Sequence, residues 1–350
     1  MSSAQSTRTP LAGLTLWSAL LGLVLLPSAL FGQGCVIARG CGGAMLADGS
    51  GYLEPGEWQL TTAYRYFKSH RHFAGDDEQT IRSDLGTEVY NTSNFLDLTA
   101  NYAWSKRLNL KVTLPFVHYV RSSLYEHLGN TSGKRFSTKA DGIADMNVGA
   151  SWWVFDPNRD NPRGNLSVGF GVKLPTGNDQ AQDYFMKAAG PTLKYVDSSI
   201  QPGDGGTGFT IELQGFRRLT HNLSLYGNGF YLINPEGRNE VTGFSIPDGY
   251  MVRGGADYRI EQVKGLIVSL GLRNEGVVAH DLIGGNLGFR RPGFAVSVEP
   301  GFSYSRGKFS ATVAVPIAIH RNRTTSYGSI KAGDAAFADW TLNTSFSIRL

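Results

Sequence analysis

The chain predicts an all-β transmembrane protein: an antiparallel up-and-down barrel of about 12 strands, preceded by a cleaved N-terminal signal peptide. Three observations carry this prediction. The first is an uncharged apolar run near the N-terminus, the second a succession of segments alternating apolar and polar residues, and the third an alternation of short and long connections between them.

After Arg8 the run LAGLTLWSALLGLVLLPSALFG carries no charge, and small residues follow at Gly32 to Gly34. Residues 1–34 read as a secretory signal peptide. A membrane anchor is the alternative, because the run approaches the ~20 residues of a spanning helix. Pro27 interrupts it, however, and no basic stop-transfer cluster follows.

Residues 35–55 then read as a Gly-rich periplasmic arm or plug, and 56–350 as the barrel. The two cysteines, Cys35 and Cys41, favour a disulfide in a chain that has left the cytoplasm. Acylation of Cys35 is the alternative, although Gly32 stands where lipoprotein signals usually carry Leu. The charge balance is mild, 33 basic against 29 acidic residues, and nothing in it points to nucleic acid.

The strands follow in order. In GEWQLTTAYRYF, Trp58, Leu60, Tyr64 and Tyr66 share one face, opposite Gln59, Thr61 and Arg65. In FLDLTANYAW, Leu96, Leu98, Tyr102 and Trp104 oppose Asp97, Thr99 and Asn101. LNLKVTLPF, ADMNVGASWWVF, NLSVGFGVKLP, GFTIELQGF, LSLYGNGFYLI, YMVRGGADYRI, GLIVSLGLRNE, GFAVSVEPGFSYS, KFSATVAVPIAI and FADWTLNTSFSIRL repeat the pattern. Links such as SKR, RRLTHN, EQVKG and SRGK are short, whereas those after odd-numbered strands are long, among them 69–93, 121–142 and 176–207. Short periplasmic turns, long external loops and an even strand count are the signature of outer-membrane barrels.

A secreted sandwich or lipocalin-like barrel would also alternate. Its interior would be overfilled by the apolar faces of all these strands, whereas an inside-out barrel turns them to lipid and closes every edge. The C-terminal TLNTSFSIRL keeps Leu342, Phe346, Ile348 and Leu350 on one face. It resembles the strand that outer-membrane proteins present to their assembly machinery, with Leu350 where an aromatic is usual.

DGIADMNVGASWWVF, then GVKLPTG, then QPGDGGTGF with an alternating strand after it, resemble the outer-membrane barrel family named for the MetA pathway of phenol degradation. The resemblance covers most of the mature chain and implies a transporter-like barrel for small hydrophobic or aromatic molecules. Outer-membrane lipid, lipopolysaccharide and that solute are the expected partners, the outer membrane of a Gram-negative bacterium the expected location, and no cofactor is implied. A structural or adhesive barrel without transport is the alternative, and a lipid-modifying enzyme a weaker one.

Candidate chemistry is sparse. GDGGTG is followed by FTIELQGF, which alternates as a strand, so no helix N-terminus is available to bind a phosphate. The histidines fall in loops, turns or strand ends without a partner serine or a G-x-S-x-G elbow, so no catalytic residue is expected. His70 and His72 near Asp76, Asp77 and Glu78 invite a metal, but an exposed charged loop explains them better, and no metal site is expected.

The polar face is the better clue. Arg65, Asp97, Lys111, Asp145, Lys173, Glu212, Arg253, Asp257, Arg259, Arg273, Glu275 and Glu299 all fall on it as lumen-lining candidates of mixed sign. Pro115, Pro175 and Pro316 recur on three outward-running strands in VTLPF, VKLPT and VAVPI. Proline cannot donate to the ladder, so these mark possible strand gaps near the outer rim.

Overall fold

The computed structural model describes residues 52–128, 133–157, 163–324 and 333–350. The expected signal peptide, Cys35 and Cys41, and the arm before Tyr52 lie outside the described residues.

Among the described residues seventeen strands follow in chain order: β1 (Trp58–Ala74), β2 (Asp77–Glu78), β3 (Tyr90–Ala103), β4 (Leu108–Ser123), β5 (Phe136–Ile143), β6 (Met146–Trp153), β7 (Gly164–Leu174), β8 (Gln182–Lys187), β9 (Gly190–Tyr195), β10 (Gly208–Arg218), β11 (Leu223–Ile233), β12 (Gly249–Arg259), β13 (Leu266–Val277), β14 (Gly293–Arg306), β15 (Phe309–Ala314), β16 (Ile317–Arg323) and β17 (Ala335–Arg349). All except β8 and β9 belong to one sheet, and β17 pairs back onto β1 from Gln59 opposite Arg349 to Phe73 opposite Ala335. The sheet is therefore closed. With β5 and β6 as two halves of one stave, β15 and β16 as two halves of another, and β2 a two-residue appendage, the ring is a 12-strand antiparallel barrel.

Period-two side-chain alternation gives the wall its two faces. Phe170, Leu270 and Leu272 are 63%, 60% and 56% exposed on the outside, whereas Ser167 and Asp257, of inward parity, are each 1% exposed. The inside-out arrangement read from the pattern is the one the chain adopts.

The wall is uneven in height. β1, β3 and β4 continue in register as far as Ser69 opposite Asn91 and Tyr90 opposite Ser122, while β7 ends at Leu174 and its neighbour β10 begins at Gly208. Sequence pattern placed 121–142 in a loop, but its last part is β5, paired to the tall β4 from Phe116 opposite Ile143 to Ser123 opposite Phe136. The reason is local: outward Ser137, Lys139 and Asp141 are polar and exposed, so this extension carries no lipid-facing apolar signal. Loop 176–207 likewise contains the β8–β9 hairpin.

Candidate functional site

The lumen holds a cavity of about 510 Å³, the size of a small-molecule site. Asp97, Lys111, Asp145, Lys173, Glu212 and Arg253 line it. Lys111 from β4 reaches Glu212 of β10 at 2.6 Å. The remaining candidates, Arg65, Asp257, Arg259, Arg273, Glu275 and Glu299, do not line it, and Arg253 joins several of them. Arg65, Glu275, Arg273, Glu299 and Arg253 form a chain of alternating charge with contacts of 3.2, 2.6, 3.3 and 2.8 Å. Asp257 is buried and Arg259 half-buried. The chain runs from β1 to β12, β13 and β14 and braces the barrel as a chord. Alternation of sign matters here, because each buried guanidinium would otherwise face several kcal/mol of desolvation, roughly the penalty for any unpaired buried ion.

Two of the staves are broken, both beside prolines. Pro115 sits inside β4 opposite Asp97, and its carbonyl accepts from the Ala144 N–H at 2.8 Å, between the end of β5 and the start of β6. Antiparallel geometry turns both main-chain groups of one residue to the same neighbour, so the proline nitrogen also faces the break and has no hydrogen to offer it. On the far side β6 stays paired with β7 up to Met146 opposite Leu174, and Pro175 follows. Beyond that point β5 pairs β4 alone, leaving a seam between β5 and β7.

The inner side of this seam is backed by the loop carrying QPGDGGTGF. Gly203 and Gly177 touch through their backbones, so closely that a Cβ on Gly203 would lie 2.6 Å from the Gly177 oxygen. Asp145, at the break itself, accepts from the Gly177 N–H at 3.0 Å and the Asp204 N–H at 3.2 Å, and Lys173 is ion-paired to Asp204. The glycine-rich stretch is thus a latch against the wall as well as a turn into β10. Residues Gln201 to Asp204 line the cavity, so the lumen reaches the inner side of the seam.

Further out, Asp197 holds the same loop. Arg291 donates to its two oxygens at 2.8 and 2.7 Å, and Arg121, anchored to Glu126, stands 3.6 Å away. Burial by itself would raise the Asp197 carboxyl, but the two guanidinium groups and the Ser199 N–H hold it well below the usual carboxylate range.

The second break separates β15 from β16 at Val315 and Pro316. β15 pairs β17 over its whole length, whereas β16 pairs it only at Ile317 opposite Trp340. Buried Arg321 fills the seam, donating to the Ala338 carbonyl at 3.1 Å and to Asp339 at 2.7 Å, which Arg71 also reaches at 2.9 Å.

At the periplasmic end, sequence reasoning missed an aromatic recess. Trp153, Phe216 and Tyr226 point inward and are buried with Tyr52. The available signal was parity: each sits on the polar face of its strand, in step with Ser151, Gln214 and Asn228. His70 and His72 lie apart from such a site. His72 accepts from the Val89 N–H at 2.8 Å and lies 3.2 Å from Asp334, and among the described residues no group of His, Cys, Asp or Glu is arranged to hold a metal ion.

A closed barrel with an apolar belt and a polar, ion-braced lumen defines an outer-membrane β-barrel protein. No family model matches the chain, and no curated protein matches it. Among solved structures it is similar to the COG4313 outer membrane channel from Pseudomonas putida F1, at 13% identity and a TM-score of 0.57 over 85% of this chain and 97% of that one. This likeness shows a shared fold. A Pseudomonas aeruginosa FadL homologue matches at 8% identity, a TM-score of 0.41 and coverage of 90% and 99%. The CymD monoaromatic hydrocarbon channel matches at 11%, 0.41, and 91% and 94%.

Proposed function

We propose that the protein is a passive, non-enzymatic channel for small hydrophobic or aromatic molecules, and that such a solute passes through the wall at the seam between β5 and β7. One observation carries the reading: the lumen cavity is lined by Asp145, Lys173, Gly203 and Asp204, the groups that back this seam. An apolar solute in a polar lumen gains free energy on returning to lipid, and a seam without a complete ladder is where the wall parts at least cost. The motif resemblance to the phenol-degradation barrels supports the same solute class, and the fold shared with an outer-membrane channel supports passage through the barrel.

Uptake of a fluorescent apolar probe, 1-N-phenylnaphthylamine, into proteoliposomes tests this. Pro115→Val returns an N–H donor to the break and is expected to slow uptake about three- to tenfold, the effect of about one additional hydrogen bond. Uptake unchanged in the variant overturns the lateral route while leaving the channel. No uptake by the wild type overturns the channel and favours a structural barrel.

A further inference from the structure

The periplasmic recess is already filled. Tyr52 inserts its ring against Trp153 edge-on, with centroids 4.9 Å apart and planes at 78°, and lies 6.2 Å from the Phe216 ring. It is 3% exposed, and its hydroxyl hydrogen-bonds with the Asn165 side chain. Asn165 is itself oriented by the Phe155 backbone, whose N–H donates to it at 3.1 Å and whose carbonyl accepts from it at 3.0 Å. Burial pushes the Tyr52 hydroxyl up to about 12, so the group is a neutral phenol at physiological pH.

Three aromatic walls and one fixed polar group are what a phenol ring needs, and they occur on the face of the wall that is otherwise polar. Trp153 and the neighbouring Leu53 also line the lumen cavity, so a solute descending the lumen meets this recess directly.

We infer that the recess of Trp153, Phe216, Tyr226 and Asn165 is a binding site for a small phenol-type aromatic, and that Tyr52 occupies it as a tethered competitor which the solute displaces. The inference rests on the channel reading and adds a site to it. Tyr52 lies near the end of the stretch read as the arm, 35–55, and precedes β1 by only a few residues, so its tether to the wall is short. A short tether holds a competitor at an effective concentration of about millimolar, so the free site is masked by its own chain.

Isothermal titration of the detergent-solubilised full-length barrel with p-cresol, using cyclohexanol as a non-aromatic control, tests it. Tyr52→Ala removes the competitor without touching the wall, and p-cresol should bind about tenfold more tightly than to wild type, because the competent fraction rises. Tyr52→Phe should fall between the two. Adding Trp153→Ala, or the milder Phe216→Leu, to Tyr52→Ala should return binding to the weak wild-type level or below, with heat-shifted gel migration verifying the folded barrel. Unchanged or weaker binding by Tyr52→Ala, or cyclohexanol binding as tightly as p-cresol, overturns the inference. Wild-type probe uptake is read separately: uptake without competition refutes the recess alone, and competition without uptake refutes the channel alone.

Discussion

The two broken staves both lie beside prolines, Pro115 in the unbroken neighbour β4 and Pro316 at the second break itself, yet they are closed by different means. The seam between β5 and β7 is backed by loop backbone, Gly177 on Gly203, pinned by Asp145, Lys173 and Asp204. The seam between β16 and β17 is filled by one side chain, Arg321, bonded to Ala338 and Asp339. Of the two, only the first adjoins the cavity: Asp145, Lys173, Gly203 and Asp204 line it, whereas Arg321, Ala338 and Asp339 do not. A loop can swing away as a unit, whereas a guanidinium bonded to main chain replaces the missing ladder bonds. On the proposed route the first seam is the one that opens and the second the one that stays shut.

Lys173→Ala strikes the first seam hardest. It leaves Asp145 and Asp204 facing one another without their cation, at a cost of about 3 kcal/mol. Amide exchange in Gln201 to Gly206 should accelerate about a hundredfold or more and probe uptake should rise, while exchange around β16 stays as in wild type. Equal protection of Gln201 to Gly206 in both proteins would remove the latch from the comparison.

Acid addresses two outer carboxylate ties, one between the start of β17 and β1 and one on the loop that backs the first seam. Burial would raise the Asp334 carboxyl, but hydrogen bonds from His72 and Arg82 hold it at about 2. A carboxylate lowered on folding stabilises the native state above its unfolded pKa of about 3.9, and that contribution disappears as pH falls through the folded value. The tie of Asp334 to His72 and Arg82 should therefore weaken between about pH 4 and pH 2, by about 2 kcal/mol. The Asp197 tie on the first seam, also lowered, should be intact above pH 4 and lost on stronger acidification. Exchange rates corrected for intrinsic chemistry, followed over 70–90 and 196–206, report the two separately; protection independent of pH across this window would contradict both assignments.

Arg321→Ala is the smallest effect on transport and the most discriminating. Loss of the Ala338 and Asp339 contacts should cost about 1–2 kcal/mol, seen as a lower heat-shift temperature on gels, with uptake unchanged. Faster uptake in this variant would make the second seam a route and erase the distinction.

Much of this barrel was legible because its signals are local. Each of the twelve staves announces its lipid face by period-two alternation, and Phe209 at the end of QPGDGGTGF reads as the first outward residue of a strand, where it stands 49% exposed at the start of β10. What escaped was local signal of the wrong kind. β5 alternates with polar residues outward, and Trp153, Phe216 and Tyr226 break the polar parity of their strands one at a time, in segments far apart along the chain.

By itself, then, the sequence determined the closed, inside-out barrel, since side-chain parity within a strand is set by neighbouring residues and lipid demands that every edge be paired. Only the tertiary structure decided which inward charge meets which, that Asp145, Lys173 and Asp204 converge on one break, and that Tyr52 lies against Trp153. These contacts depend on strand stagger and barrel curvature, which place residues up to hundreds of positions apart on one level and are properties of the ring as a whole.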